Sequence, residues 1–176
     1  MLSHGYCAGD MPFPVGHFNG SIEVFMDLAE NRSHDQFAIL LHDFGALGKS
    51  FGIVAHSQGG AAALHLFTYY WSGLDWSQGN RLIQSVGTPY QGTALAGNAA
   101  VLGEIFGAGC GTNFDLTYDG AALWLSGIPT WARQRVYYHT TSFDDGIFYD
   151  YCHLVTDLLL EDPDDGTTEA WAGQLP

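Results

Sequence analysis

Ala55-His56-Ser57-Gln58-Gly59 sets one serine between the apolar run Phe51-Gly52-Ile53-Val54 and the small-residue run Gly60-Ala61-Ala62-Ala63-Leu64. A serine hydroxyl is a poor nucleophile at neutral pH. To use one, a protein must hold it exposed on a strained turn, beside a base and near backbone N–H donors. A turn from a buried strand into a buried helix offers that position, and small flanking residues are what such a turn requires. Gly59 and Gly60 let the helix approach the strand closely, and Ala55 stands where the G-x-S-x-G pattern has its first glycine. Ser57 is the expected nucleophile.

Two further segments share its chemistry. His4-Gly5-Tyr6 lies upstream, and Gly87-Thr88-Pro89-Tyr90-Gln91-Gly92 follows the apolar run Leu82-Ile83-Gln84-Ser85-Val86. In order and spacing the three segments together resemble the α/β-hydrolase superfamily, and most closely its bacterial extracellular lipase- and esterase-like serine hydrolases. There the first segment completes the oxyanion hole and the third reads G-T-P-H-x-G, with Tyr90 here in place of the histidine. The resemblance covers most of the chain, although only these segments are specific. It implies an α/β-hydrolase fold, a mostly parallel sheet flanked by helices, hydrolysing carboxylic esters without a cofactor. Ser57 Oγ would attack the ester carbonyl, and the backbone N–H groups of Tyr6 and Gln58 would hold the oxyanion. Tyr6, Phe13 and Tyr90 are candidates for lining an acyl pocket, with ordinary core or loop packing as the competing reading of each.

In this family the acid follows the serine and the histidine follows the acid. Asp164-Asp165-Gly166, after the apolar run Leu158-Leu159-Leu160, matches the family's D-G turn, so Asp165 is the expected acid, accepting the imidazole Nδ1–H. Asp144 and Asp145 are the runners-up. A solvated acidic loop and a Ca²⁺ loop over 162–165 are the competing readings, the second without EF-hand spacing. No histidine stands between Asp165 and Pro176. His56 is a spacer in the turn, His4 belongs to the oxyanion loop, His34, His42 and His65 fall on helices, and His139 falls in a strand. His153 has the right order after Ser57 and Asp144, but follows that acid by fewer residues than the family uses.

The elements that must position these groups alternate. Ser21 to Met26 reads as a strand, and Ser33 with Gln36 as a capping box for a helix whose apolar face is Phe37, Leu40, Leu41 and Phe44. A strand near Phe51 to Ala55, a helix from Gln58 to about Trp71 and a strand over Leu82 to Val86 follow. After the Gly- and Ala-rich stretch Thr93 to Gly111 come a short helix over Asp119 to Leu125 and a strand over Val136 to Thr141. Strands alternating with helices imply right-handed crossovers and a parallel sheet, with the site at the carboxyl ends of the strands.

Composition bounds the function. The 176 residues fit one domain, 1–176, and 47% hydrophobic with 14% aromatic residues suffices for a core. Five Lys+Arg against 19 Asp+Glu give a net charge of −14, which repels nucleic acid and anionic membranes; the small-molecule or lipid ester expected as partner is what the hydrolase resemblance implies. No run reaches the length of a membrane-spanning helix. Few lysines with many glycines and aromatics suit a secreted enzyme. Cys7, Cys110 and Cys152 form an odd set without metal-ligand spacing. Only Met1-Leu2-Ser3 precede the His4-Gly5 loop, and neither a signal peptide nor a base after Asp165 is present. The expectation is an incomplete domain, lacking its first strands and its C-terminal end, cut from a longer secreted hydrolase. The competing expectation is a hydrolase fold without catalysis, acting as a secreted binding or signalling protein. A changed acyl acceptor, as in an acyltransferase or thioesterase, is a third.

Overall fold

The computed structural model describes residues 1–45, 50–78, 82–97, 110–141 and 168–175. Five strands are present among them: β1 (Leu2–Ser3), β2 (Val24–Phe25), β3 (Ile53–His56), β4 (Ile83–Val86) and β5 (Val136–His139). All pair in parallel in the order β2-β1-β3-β4-β5. The strand expected over Ser21 to Met26 narrows to Val24–Phe25 because its neighbour in the sheet, β1, offers a two-residue ladder, Leu2 beside Val24 and Ser3 beside Phe25. Likewise β3 begins and ends slightly later than expected, where the ladder to β4 runs from Ile53 beside Ile83 to His56 beside Val86.

Helix α1 (His34–Phe44) starts as its sequence predicts. Ser33 Oγ accepts from Gln36 N–H at 3.1 Å, and Gln36 Oε1 accepts from Ser33 N–H at 3.0 Å, satisfying two donors the first turn would leave orphaned. Phe37, Ala38 and Leu41 are buried, whereas Leu40 is half-buried. Phe44 is 40% exposed, its ring meeting Phe25 edge-on at 5.4 Å, so the core-facing stripe is narrower than the sequence suggested.

Helix α2 (Gln58–Tyr69) stops two residues short of Trp71 because Tyr70 turns extended, with φ −126° and ψ 131°. Its first two turns are buried throughout, and the small residues permit this. A Cβ on Gly60 would overlap Thr88 Oγ1 and come within 2.9 Å of Ser85 Cβ, and one on Gly59 would overlap the His4 carbonyl. The close helix–strand approach expected at these glycines is therefore made. Leu41, Ile53, Leu64, Leu66, Leu74 and Ile83 form the centre of the core between sheet and helices. Helices α3 (Tyr118–Ser126) and α4 (Thr130–Arg133) precede β5.

The strand order decides where a site can form. From β1 the chain moves to β2 on one side, then returns across to β3 on the other. Loops leaving the carboxyl ends of β1 and β3 thus diverge, opening a crevice between them. His4-Gly5-Tyr6 leaves β1 and Ser57 leaves β3.

Candidate active site at the β3 to α2 turn

Ser57 is half-buried and carries φ +52° and ψ −133°, a conformation that L residues rarely hold. Three contacts keep it there. Ser57 N–H donates to the Val86 carbonyl at 2.9 Å, extending the β3–β4 ladder into the turn. Its own carbonyl accepts from Gly60 N–H at 3.0 Å and from the Thr88 hydroxyl at 2.7 Å. Thr88 belongs to the G-T-P-Y-Q-G segment, so that segment anchors the turn through its threonine, a role the motif alone did not disclose. The Ser57 hydroxyl caps no N–H of α2, so it is not consumed by the helix it precedes. Gln58 N–H lies in the first turn of α2, where an α-helix provides no internal acceptor and its dipole is positive.

The β1 loop closes on this turn. A Cβ on Gly5 would overlap Ser57 Cβ and lie 3.0 Å from both Ser57 Oγ and the His56 carbonyl, so only glycine fits. His4 holds the loop in place. Buried between Phe25 and Phe37, its ring accepts the Asp27 N–H at Nε2 (2.7 Å). The proton therefore sits on Nδ1, which donates to the Gly5 carbonyl at 2.8 Å. That bond orients the Gly5–Tyr6 peptide, whose N–H belongs to Tyr6. The next residue, Cys7, forms a disulfide with Cys110, Cα to Cα 6.0 Å, and the Tyr6 hydroxyl donates to the Gly111 carbonyl. The odd cysteine count concealed this pairing; Cys152 lies outside the described residues.

The structure thus seats the Gly5 backbone, and with it the Gly5–Tyr6 peptide, against the Ser57–Gln58 turn. Asp165, Asp144, Asp145 and His153 lie outside the described residues, as does the 162–165 loop considered for Ca²⁺. Of the acyl-pocket candidates, Phe13 is half-buried with its ring edge-on to His56 at 6.4 Å, placing it at the rim of the turn. Tyr90 instead is fully buried in the core against Trp124 and Tyr138, the packing reading that competed with a pocket role. Tyr6 is likewise buried, its side chain packed with Cys7, Leu95 and Leu116. Gln91, of the G-T-P-Y-Q-G segment, clamps the segment 168–175: its Nε2 donates to the carbonyls of Trp171 (2.8 Å) and Gln174 (2.9 Å). The fully buried Glu169 in that segment accepts from the Tyr118 hydroxyl at 2.5 Å, a buried carboxylate the sequence analysis missed.

The histidines considered as bases do not serve Ser57 among the described residues. Both ring nitrogens of His4 are engaged as described. His65 accepts from Trp124 Nε1–H at Nδ1 and donates from Nε2 to Asp35. His42 contacts Asp43 on α1. His139 ends β5, two strands from His56 in register and so about 10 Å away by strand spacing.

His34 is the surprise among them. It is fully buried beside Trp124, ring centroids 4.7 Å apart, with Nδ1 3.3 Å from Gln58 Nε2 and Nε2 without a partner among the described residues. Gln58 Nε2 donates also to the Arg32 carbonyl at 2.6 Å, so the residue after Ser57 is gripped from behind. Burial lowers the His34 pKa to about 4 against the opposing pull of Asp115. The unfolded chain binds this proton near pH 6.5 while the folded one refuses it until about pH 4, so stability falls as pH drops through that window. Urea midpoints measured from about pH 7 down to about pH 4.5 should fall more steeply for the parent than for His34→Gln. Equal slopes would place the pH sensitivity in other groups.

A family model described as the conditioned medium factor C-terminal domain matches residues 1–176. Conditioned medium factor of Dictyostelium discoideum is 51% identical over 172 residues, which are 96% of this chain and 24% of that protein. The chain thus spans about a quarter of that relative's length. Among solved structures, the mature form of Bacillus licheniformis lipase BlEst2 superposes with a TM-score of 0.71 at 16% identity, covering 99% of this chain and 78% of that one. Phospholipase PlaB from Legionella pneumophila gives 0.66 at 17% identity, covering 98% and 44%. At such identities the likeness establishes the fold, the α/β-hydrolase arrangement of a parallel sheet flanked by helices.

Proposed function

We propose that this chain, which belongs to the conditioned medium factor C-terminal domain family, carries a serine hydrolase site for carboxylic esters with Ser57 as its nucleophile. The observation that carries this reading is the Ser57 backbone, held at φ +52° against the Gly5 loop at the switch point of the sheet. A strained residue needs over-determining contacts, and here three elements supply them.

In this reading Ser57 Oγ attacks the ester carbonyl and a histidine takes the proton. The tetrahedral oxyanion is received by the N–H groups of Gln58 and Tyr6, and the acyl-enzyme is then hydrolysed by water. Asp165 orients the imidazole through its Nδ1–H. With Asp165 as the acid the base is a histidine of the full-length protein outside residues 1–176, whereas His153 as the base would take Asp144 as its acid. A hydrolysed ester, lipid or small molecule, is the substrate class, and no cofactor is required. An extracellular location is part of the proposal, supported by the Cys7–Cys110 disulfide, since such bonds persist in oxidising compartments.

The 51% identity to a protein named as a conditioned medium factor favours a second reading, in which the hydrolase fold serves as an extracellular binding or signalling factor. A fluorophosphonate probe separates the two. Stoichiometric phosphonylation of Ser57 in the full-length protein, absent in Ser57→Ala, is the expected result. A folded protein that takes no label would support the binding factor instead.

A further inference from the structure

A shallow groove of about 450 Å³ lies between the N-terminal end of α1, the C-terminal half of α2 and the C-terminal end of α3. It is separate from the Ser57 turn: Tyr69, on its wall, stands about 18 Å along α2 at the helical rise per residue. Tyr69, Tyr70, His65, Trp124 and Leu123 line it, together with the carboxylate of Asp35.

Each polar tip on these rings is already spoken for. The Tyr69 hydroxyl donates to the Gly127 carbonyl at 2.8 Å and the Tyr70 hydroxyl to Asp35 Oδ1 at 2.6 Å. Trp124 Nε1–H donates to His65 Nδ1 at 3.0 Å, so the His65 proton resides on Nε2, which donates to Asp35 Oδ1 at 3.1 Å. The His65 ring lies 4.6 Å from the Tyr69 ring and 6.2 Å from the Tyr70 ring. With their tips tied down, the rings are held in place and offer π surface to a ligand. Desolvation by burial lowers the His65 pKa despite its bond to Asp35, so the imidazole is neutral at neutral pH. Asp35 is then the one net charge on the lining, and its Oδ2 has no partner among the described residues.

An anion would meet an unopposed carboxylate here, and a neutral apolar ligand would strip water from that carboxylate without replacing it. A cation gains from both the carboxylate and the ring faces, whose quadrupoles attract positive charge. The geometry points to a second binding site, for a small organic cation of the alkylammonium class, seated among Tyr69, Tyr70 and Trp124 with Asp35 as counter-charge. The net charge of −14 adds long-range attraction for such a ligand.

Choline is the probe, titrated by calorimetry and by tryptophan fluorescence. Its neutral isostere, with carbon in place of the ammonium nitrogen, is the control. Saturable choline binding is expected, weakened at least about tenfold for the isostere and for Asp35→Asn. Asp35→Asn keeps an oxygen to accept from Tyr70 and His65, and circular dichroism verifies its fold. Tyr69→Ala, at a half-exposed position, provides an independent variant and is expected to weaken binding as well. No saturation up to about 50 mM choline, equal affinity for the isostere, or unchanged binding by folded Asp35→Asn or Tyr69→Ala would each overturn the proposal. Binding is read without turnover, so the result is independent of whether Ser57 is a nucleophile.

Discussion

With Ser57 as the nucleophile, Ser57→Ala is expected to lower turnover of a short-chain p-nitrophenyl ester by the full-length protein at least about a thousandfold, with the fold unchanged. The expectation follows from what the side chain does and does not do. Its hydroxyl caps no helix N–H, so removing it costs the turn no structural hydrogen bond. The bonds that hold the turn run through Ser57 backbone atoms to Val86, Gly60 and Thr88, and alanine retains all of them. Ser57→Gly sharpens the test. It also abolishes turnover, but it removes the cost of a side chain at φ +52°, ψ −133°, a region almost confined to glycine. Its larger unfolded-state entropy offsets part of that relief. The net expectation is a gain of about 1 kcal/mol, which for a chain of this size raises Tm by about 2–4 °C over Ser57→Ala. Turnover surviving in Ser57→Ala would place the nucleophile elsewhere. A Ser57→Gly protein less stable than Ser57→Ala would show that the turn stores no strain.

Breaking the Cys7–Cys110 disulfide has the largest expected effect on stability. The bridge closes a loop with a sequence separation of 103 residues, and cross-linking a loop of that size removes several kcal/mol of unfolded-chain entropy. Cys7→Ser is expected to cost about 3–4 kcal/mol and to lower Tm by roughly 10 °C. A second effect arises because Cys7 directly follows Tyr6. The loop carrying the Tyr6 N–H is held by the His4 bond to Gly5 on one side and by the bridge on the other. Losing one of these holds should reduce kcat more than it changes KM, since an oxyanion donor acts in the transition state and its full loss costs about 3 kcal/mol. Thermal melts and ester kinetics on the same variant, below its Tm, check both parts. A Tm drop with unchanged kcat would mean that His4 alone positions the loop. No Tm change would mean that the bridge constrains nothing the fold does not already fix.

The local features were readable because short-range patterns cause them. Ser33 and Gln36 are three residues apart, and their reciprocal capping needs nothing beyond that turn of chain. The small residues around Ser57 announced a tight strand-to-helix turn, and Gly59 and Gly60 proved to be places where a Cβ would collide. Alternation of strands and helices implied parallel pairing, because crossover connections permit little else. Strand ends were less legible: Val24–Phe25 is short because β1 is short, which is a property of the neighbour rather than of the segment.

A tight strand-to-helix turn at Ser57, a parallel α/β sheet and a strongly acidic composition were thus written in residue types and spacings along the chain. What depended on folding was whatever joins residues far apart in sequence. Cys7 found Cys110, the Thr88 hydroxyl found the Ser57 carbonyl, and Asp35 met His65 and Tyr70 across two helices. Tyr90 became core and His34 became a buried neutral base behind Gln58 for the same reason. Burial and pairing at long range are set by the order β2-β1-β3-β4-β5, and no local pattern encodes which strands become neighbours.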